Sequence, residues 1–262
     1  MKTFVSPESW FSFDYPDSWF EFEEDSDDFL FYNPDNWSGN FRISAYRDSD
    51  NGYGRRCMDE EMRGAGASLV QIGRWKAVER TDHFTEEGVS YVGWYWTIGQ
   101  GCTCVECSFV APASSNGDQG RKIVESLTVN APGVFFKDRL VTLRLAEITE
   151  IDDAYNRVEK LLKKSAKAGL SNLQKGLDTL QRLVDSGEAK QLGRDANTVL
   201  GLTFCALLAE EYDDFEWKTW VDGHKECAML VRSDGKRIRP DRLFDAERVD
   251  VTALLADLLL QE

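Results

Sequence analysis

The sequence predicts an α+β protein with two domains. Three observations carry that reading. The first half of the chain is dense in short runs where apolar and polar residues alternate, the period of half-buried strands. Those runs follow one another too closely for helical crossovers, so their pairing is expected to be antiparallel. Beyond Thr149 the apolar residues move to helical spacing, until two Asp-Gly pairs mark a small antiparallel meander. At 262 residues the chain also exceeds what one ordinary core holds. The expected division is 1–135 and 145–262, with the junction inside Phe136–Glu147, after the punctuation of Pro132 and Gly133.

The stretch Ser90–Ala111 organises the first half. It reads as two apolar strands joined by the turn Gly99–Gln100–Gly101, and it holds Cys102, Cys104, Cys107, Trp94 and Trp96. Ahead of it, Phe11, Phe13 and Tyr15 alternate with polar residues until Pro16, which cannot donate to a ladder. Phe20 and Phe22 alternate with Glu21 and Glu23. Phe29–Tyr32 is a short strand, and Phe41, Ile43 and Ala45 alternate with Arg42 and Ser44. Arg55–Arg63 reads as a helix stopped by glycines. Leu69–Arg80 reads as a strand broken at Gly73, followed by a loop at His83–Gly88. Arg121–Val129 places Ile123, Val124 and Leu127 at helical spacing.

The opening FSFDYPDSW, followed by FLFYNPDNWSGNFRISAY, resembles the PsbP-like superfamily. The resemblance rests on an aromatic strand, the Pro16–Trp19 turn and a strand with a small-residue loop, and it covers roughly the first half. It implies an antiparallel sheet with a helix packed on it and a binding or scaffold role. It implies no shared catalytic residue.

In the second half, Leu140–Leu145 reads as a linking strand. Thr149 with Asp152, and Ser171 with Gln174, read as capping-box-like helix starts. Tyr155, Val158, Leu161 and Leu162 share one helical face; Leu173, Leu177, Leu180 and Val184 share another, with Gly187 as a C-cap. Asn197–Glu211 is a strongly apolar third helix. Phe215–Val221 and Cys227–Arg232 flank the Asp222–Gly223 hairpin signal, Arg237–Arg239 makes a third strand, and Val251–Leu259 is an amphipathic helix. The segment LGRDANTVLGLTFCALL, the Trp217–Trp220 strand and RIRPDRLF resemble a bacterial domain of unknown function.

Composition narrows the function classes. Net charge is -15, from 46 acidic and 31 basic residues. Such a balance disfavours nucleic acid and anionic membrane, which need basic surface, and suits a basic protein partner. The opening MKTFVSPESWF lacks the apolar run of a signal peptide, and no stretch approaches a membrane span, which predicts a cytoplasmic protein. The six cysteines then read as thiols.

The candidate chemistry is sparse. Cys104 and Cys107 have the spacing of half a zinc knuckle, but no second close pair exists, and on a strand they point to opposite faces. They read as buried thiols. His83 and His224, the only histidines, are expected in polar loops, which weakens a hydrolase reading. No nucleophile elbow or phosphate loop is present. Glu210, Glu211, Asp213 and Asp214 read as a solvated helix exit. Trp94 and Trp96 share a strand face and read as core. No catalytic residue, cofactor or metal is expected. The candidate partner-binding residues are Glu23, Glu24, Asp25, Asp27 and Asp28, an acidic turn suited to a cationic surface. The expected function is a non-enzymatic binding or interaction module. The alternatives are an immunity-type inhibitor of a basic toxin and an enzyme using the Asp/Glu clusters.

Overall fold

A computed structural model gives the structure of residues 1–23, 28–164, 169–245 and 249–260. The chain is α+β and forms two units. One comprises Met1–Val141 with the hairpin tip Val221–His224, the other Thr142–Trp220 with Lys225–Glu262.

The first unit holds two antiparallel sheets. The smaller is ordered β1 (Lys2–Val5), β2 (Phe11–Tyr15), β10 (Thr128–Val129). The larger contains β3 (Phe20–Glu23), β4 (Asp28–Tyr32), β5 (Asn40–Arg47), β6 (Ser68–Ile72), β7 (Trp75–Glu86), β8 (Val89–Gln100) and β9 (Thr103–Pro112). Its spatial order is β3-β4-β5-β9-β8-β7-β6, so the β8–β9 hairpin sits at its centre. Two helices, α1 (Tyr53–Glu61) and α2 (Asp118–Ser126), complete the unit.

Strand alternation decides which face is buried. Phe31, Phe41, Ile43, Trp94, Trp96, Cys107 and Phe109 point to one side of the large sheet. There they meet Phe4, Phe11 and Phe13 of the small sheet and Ile123 and Val124 of α2. Phe13 packs edge-on to Phe31 at 5.1 Å and against Phe41 at 5.5 Å. Each such side chain contributes about 2–3 kcal/mol by leaving water. Trp96 buries its indole without losing a hydrogen bond. Its Nε1 donates to Glu79 Oε2 at 2.7 Å, and Arg121 of α2 pairs with the same carboxylate.

Several boundaries differ from the sequence expectation, each for a local reason. His83 lies within β7 and is not in a loop; the chain reverses at Glu87–Gly88, both with positive φ. Gly73 turns β6 into β7. Residues 128–129 leave the expected helix and pair with β2 as β10. The strand β1 carries no clear sequence signal, because its polar residues do not alternate cleanly.

The second unit is built on α5 (Ala196–Glu211), which is apolar around its circumference and buries Val199, Leu200, Phe204, Leu207 and Leu208. A helix with no polar face belongs inside. The helices α3 (Leu145–Lys164) and α4 (Leu173–Asp185) pack on it. The strand β11 (Arg139–Thr142), which contains the boundary after Val141, belongs to a four-stranded sheet ordered β11-β12-β13-β14, with β12 (Phe215–Asp222), β13 (Lys225–Arg232) and β14 (Arg237–Ile238). The expected three-stranded meander is therefore a four-stranded sheet. Last comes α6 (Val251–Leu259).

Helix starts also moved. The helix α3 begins at Leu145, so Thr149 lies inside it and its hydroxyl donates back to the Leu145 carbonyl at 3.0 Å. Asn172, not Ser171, caps α4: its Oδ1 accepts from Lys175 N at 3.0 Å. No described helix is long and apolar enough to cross a membrane.

Candidate functional site

The alternation that buries aromatics on one face of the large sheet lines the opposite face with polar side chains. Across its centre, register brings Asp28 beside Ser44, Ser44 beside Glu106, and Glu106 beside Thr97. The next row runs Leu30, Arg42, Ser108, Tyr95, Arg80. The helix α1 covers only one end of this face. There Gly54 N donates to Gly101 O at 3.0 Å, and the last residue of α1, Glu61, leans toward the sheet. What remains open is a cleft of about 290 Å³.

The cleft gathers three carboxylates, Asp28, Glu61 and Glu106, from β4, α1 and β9. Two guanidinium groups, Arg42 and Arg80, face them. Arg80 is shared: it pairs with Asp82 at 2.6 Å, approaches Glu61 at 3.7 Å, and lies 4.8 Å above the Tyr95 ring. Ser44 Oγ donates to Asp28. Partial burial pushes the Glu106 carboxyl above the usual carboxylate range, and the neighbouring Glu61 and Asp28 charges add to it. Burial likewise raises the Tyr46 phenol, against a hydrogen bond with Ser44 that lowers it, with Glu106 and Asp28 contributing further.

Aromatic side chains flank the charged centre on the same face. Phe84 stacks on Tyr91 at 5.6 Å, and Trp37 meets Tyr91 edge-on at 5.9 Å. On the other side Phe22 stacks on Tyr32 at 4.1 Å. Phe84 is 37% exposed and Trp37 is 40% exposed, so this rim faces solvent.

Of the sequence-predicted site residues, Asp28 opens β4 and lines the cleft. The backbone of Glu23 ends β3. Glu24, Asp25 and Asp27 lie outside the described residues. Arg42, Glu61, Arg80 and Glu106 were not predicted, because register joins positions far apart in sequence. For Arg42 and Glu106 the one signal is a charge inserted into an apolar strand: Arg42 stands between Phe41 and Ile43, and Glu106 between Val105 and Cys107.

The remaining candidates lie elsewhere. Cys107 is in the core, and Cys104 points to the opposite face, under α1. Among the described residues no group of His, Cys, Asp and Glu could hold a metal ion. Trp94 and Trp96 are both buried in the core. Glu210, Glu211, Asp213 and Asp214 are exposed at the exit of α5. His83 is exposed on β7, and the His224 ring lies 4.0 Å from Phe135.

A crystal structure of a Bacteroides thetaiotaomicron VPI-5482 protein is similar over 98% of both chains, at 33% identity and a TM-score of 0.92. Two further solved structures have low scores. The Mycobacterium tuberculosis protein LpqN, described as involved in cell envelope biogenesis, gives a TM-score of 0.34 at 14% identity over 46% of this chain and 83% of its own. The cyanobacterial PsbP of Synechocystis sp. PCC 6803 gives 0.26 at 12% identity over 49% and 92%. No curated protein matches the sequence. Residues 176–239 match a second domain of unknown function (DUF3806). Residues 1–152, which hold the cleft, match the domain of unknown function DUF3805, and the chain belongs to that family.

Proposed function

We propose that this chain is a non-enzymatic binding protein whose first unit takes a basic protein partner on the outer face of the seven-stranded sheet. The observation that carries this reading is the convergence of Asp28, Glu61 and Glu106 in one cleft, where burial and mutual repulsion raise Glu106. A lysine or arginine side chain entering the cleft would relieve that repulsion. The flanking aromatics supply flat apolar area on which a guanidinium can stack. A net charge of -15 adds a long-range field of the matching sign. In sequence the acidic run Glu23, Glu24, Asp25, Asp27 and Asp28 spans the β3–β4 connection and ends at Asp28.

A distant PsbP-like kinship, a cytoplasmic setting and an immunity role against a basic toxin are narrower forms of this proposal. The PsbP-like form draws support from the aromatic opening and the antiparallel sheet with α2 packed on it. The test is association kinetics. The partner retained by the immobilised full chain is identified, and its association rate is measured against wild type and the variant Asp28→Asn/Glu61→Gln/Glu106→Gln at two salt concentrations. The rate should fall several-fold and its salt slope should flatten, because charge complementarity acts mainly on encounter. Equal rates and slopes would remove the cleft from the interface.

A further inference from the structure

Two thiols that are distant in sequence meet beneath α1, and their placement follows from two glycines. Gly99 and Cys104 are direct partners across the β8–β9 hairpin, so both present the same sheet face to α1. A methyl group on Gly99 would lie 2.1 Å from the Gly54 carbonyl oxygen, and one on Gly54 would lie 2.4 Å from the Thr103 carbonyl oxygen. The helix backbone therefore rests directly on strand backbone at this point. Cys57 follows Gly54 by three residues and shares its helical face. Its thiol is an electrostatic neighbour of the Cys104 thiol and of the Tyr53 hydroxyl. A disulfide needs Cα atoms within about 4.4–6.8 Å, which a helix seated this low on its sheet can provide.

We propose that Cys57 and Cys104 form a redox-active dithiol that closes to an intramolecular disulfide on reaction with a low-molecular-weight disulfide such as oxidised glutathione. Cys57 is half-buried, Cys104 is buried, and Cys107 points to the opposite face. The more accessible sulfur therefore reacts first. The Cys57 thiol gives up its proton and attacks one sulfur of the oxidant. The oxidant S–S bond breaks, one reduced thiol leaves with that proton, and Cys57 carries a mixed disulfide. The Cys104 thiol then gives up its proton and attacks the Cys57 sulfur. The mixed disulfide breaks, and a second reduced thiol leaves. Two protein thiols lose two electrons in total, and the oxidant gains them. Burial, with the Cys57 thiol beside it, holds the Cys104 thiol well above its ordinary range, which makes the second step slow and base-promoted.

The inference is independent of the binding reading. Reduced full-length protein is incubated with oxidised glutathione, quenched with an alkylating agent and mapped by peptide mass spectrometry. The expected product is a Cys57–Cys104 linked peptide, forming faster as pH rises and lost on reduction. In Cys104→Ala the reaction should stop at a glutathione adduct on Cys57; in Cys57→Ser the linked peptide should be absent. Thermal unfolding of oxidised wild type should shift upward, since the bridge constrains the unfolded chain. Wild-type protein whose Cys57 ends as a glutathione adduct with no linked peptide would overturn the proposal. So would cross-links distributed among Cys102, Cys104 and Cys107 without preference for Cys57.

Discussion

Gly54 and Gly99 touch backbone to backbone, with no room between them for a single methyl group. This contact seats α1 on the central hairpin. Through α1 it places Glu61 at the edge of the cleft and Cys57 over Cys104.

Gly99→Ala should therefore destabilise the first unit by about 3 kcal/mol or more, since neither colliding group is a flexible side chain. Gly54→Ala should behave alike. Gly169→Ala is the control: no atom of the described residues lies within 4 Å of its added methyl group, so its effect should stay within about 0.5 kcal/mol. Urea unfolding of the three variants measures this.

Arg144 makes the corresponding prediction in the second unit. It is 4% exposed, its Nε donates to Glu147 Oε2 at 2.9 Å, and it also pairs with Glu226 at 2.9 Å. Thr219 Oγ1 donates to Glu147 Oε2 at 3.0 Å. Arg144→Met strands two carboxylates and should cost about 3–5 kcal/mol. Arg242, 64% exposed and paired with Asp245 at 3.2 Å, should lose at most about 1 kcal/mol on the same change.

The raised Glu106 carboxyl gives a pH signature with a definite sign. Its folded value lies above its unfolded value, so the folded state favours the protonated form. Stability from this group is present below the unfolded value and is lost as pH rises through the folded one. Glu106→Gln should thus match wild type near pH 3.5 and melt slightly higher near pH 7.5. The gain is small because the side chain is only partly withdrawn from solvent, which screens its charge. An unchanged difference across that range would contradict the assignment.

The domain division can be tested with fragments 1–135 and 145–262. Each should unfold cooperatively. The first should be weakened, because it lacks Val141 and Val221, which bury Val5 in the first unit. Two molten, aggregating fragments would refute the division.

What the sequence revealed follows a physical line. The antiparallel class, the central hairpin and the apolar α5 were legible, because alternation and helical spacing are local signals. Helix starts were less so. Asn172 and Ser171 are both good caps, and only the backbone decides between them. The cleft was nearly invisible, because Asp28, Glu61 and Glu106 become neighbours through sheet register and the seating of α1, which no local pattern encodes. Asp28 was found only as the last member of a visible acidic run.

Binding of basic side chains to the outer sheet face is measured most directly by an NMR titration of the isotope-labelled full chain with a short arginine-rich peptide at moderate salt. Amide shifts should concentrate at Ser44, Tyr95, Glu106 and Ser108. They should collapse in Asp28→Asn/Glu61→Gln/Glu106→Gln, while a lysine-free acidic peptide produces none. Shifts spread evenly over acidic positions of both units, undiminished in the triple variant, would contradict it.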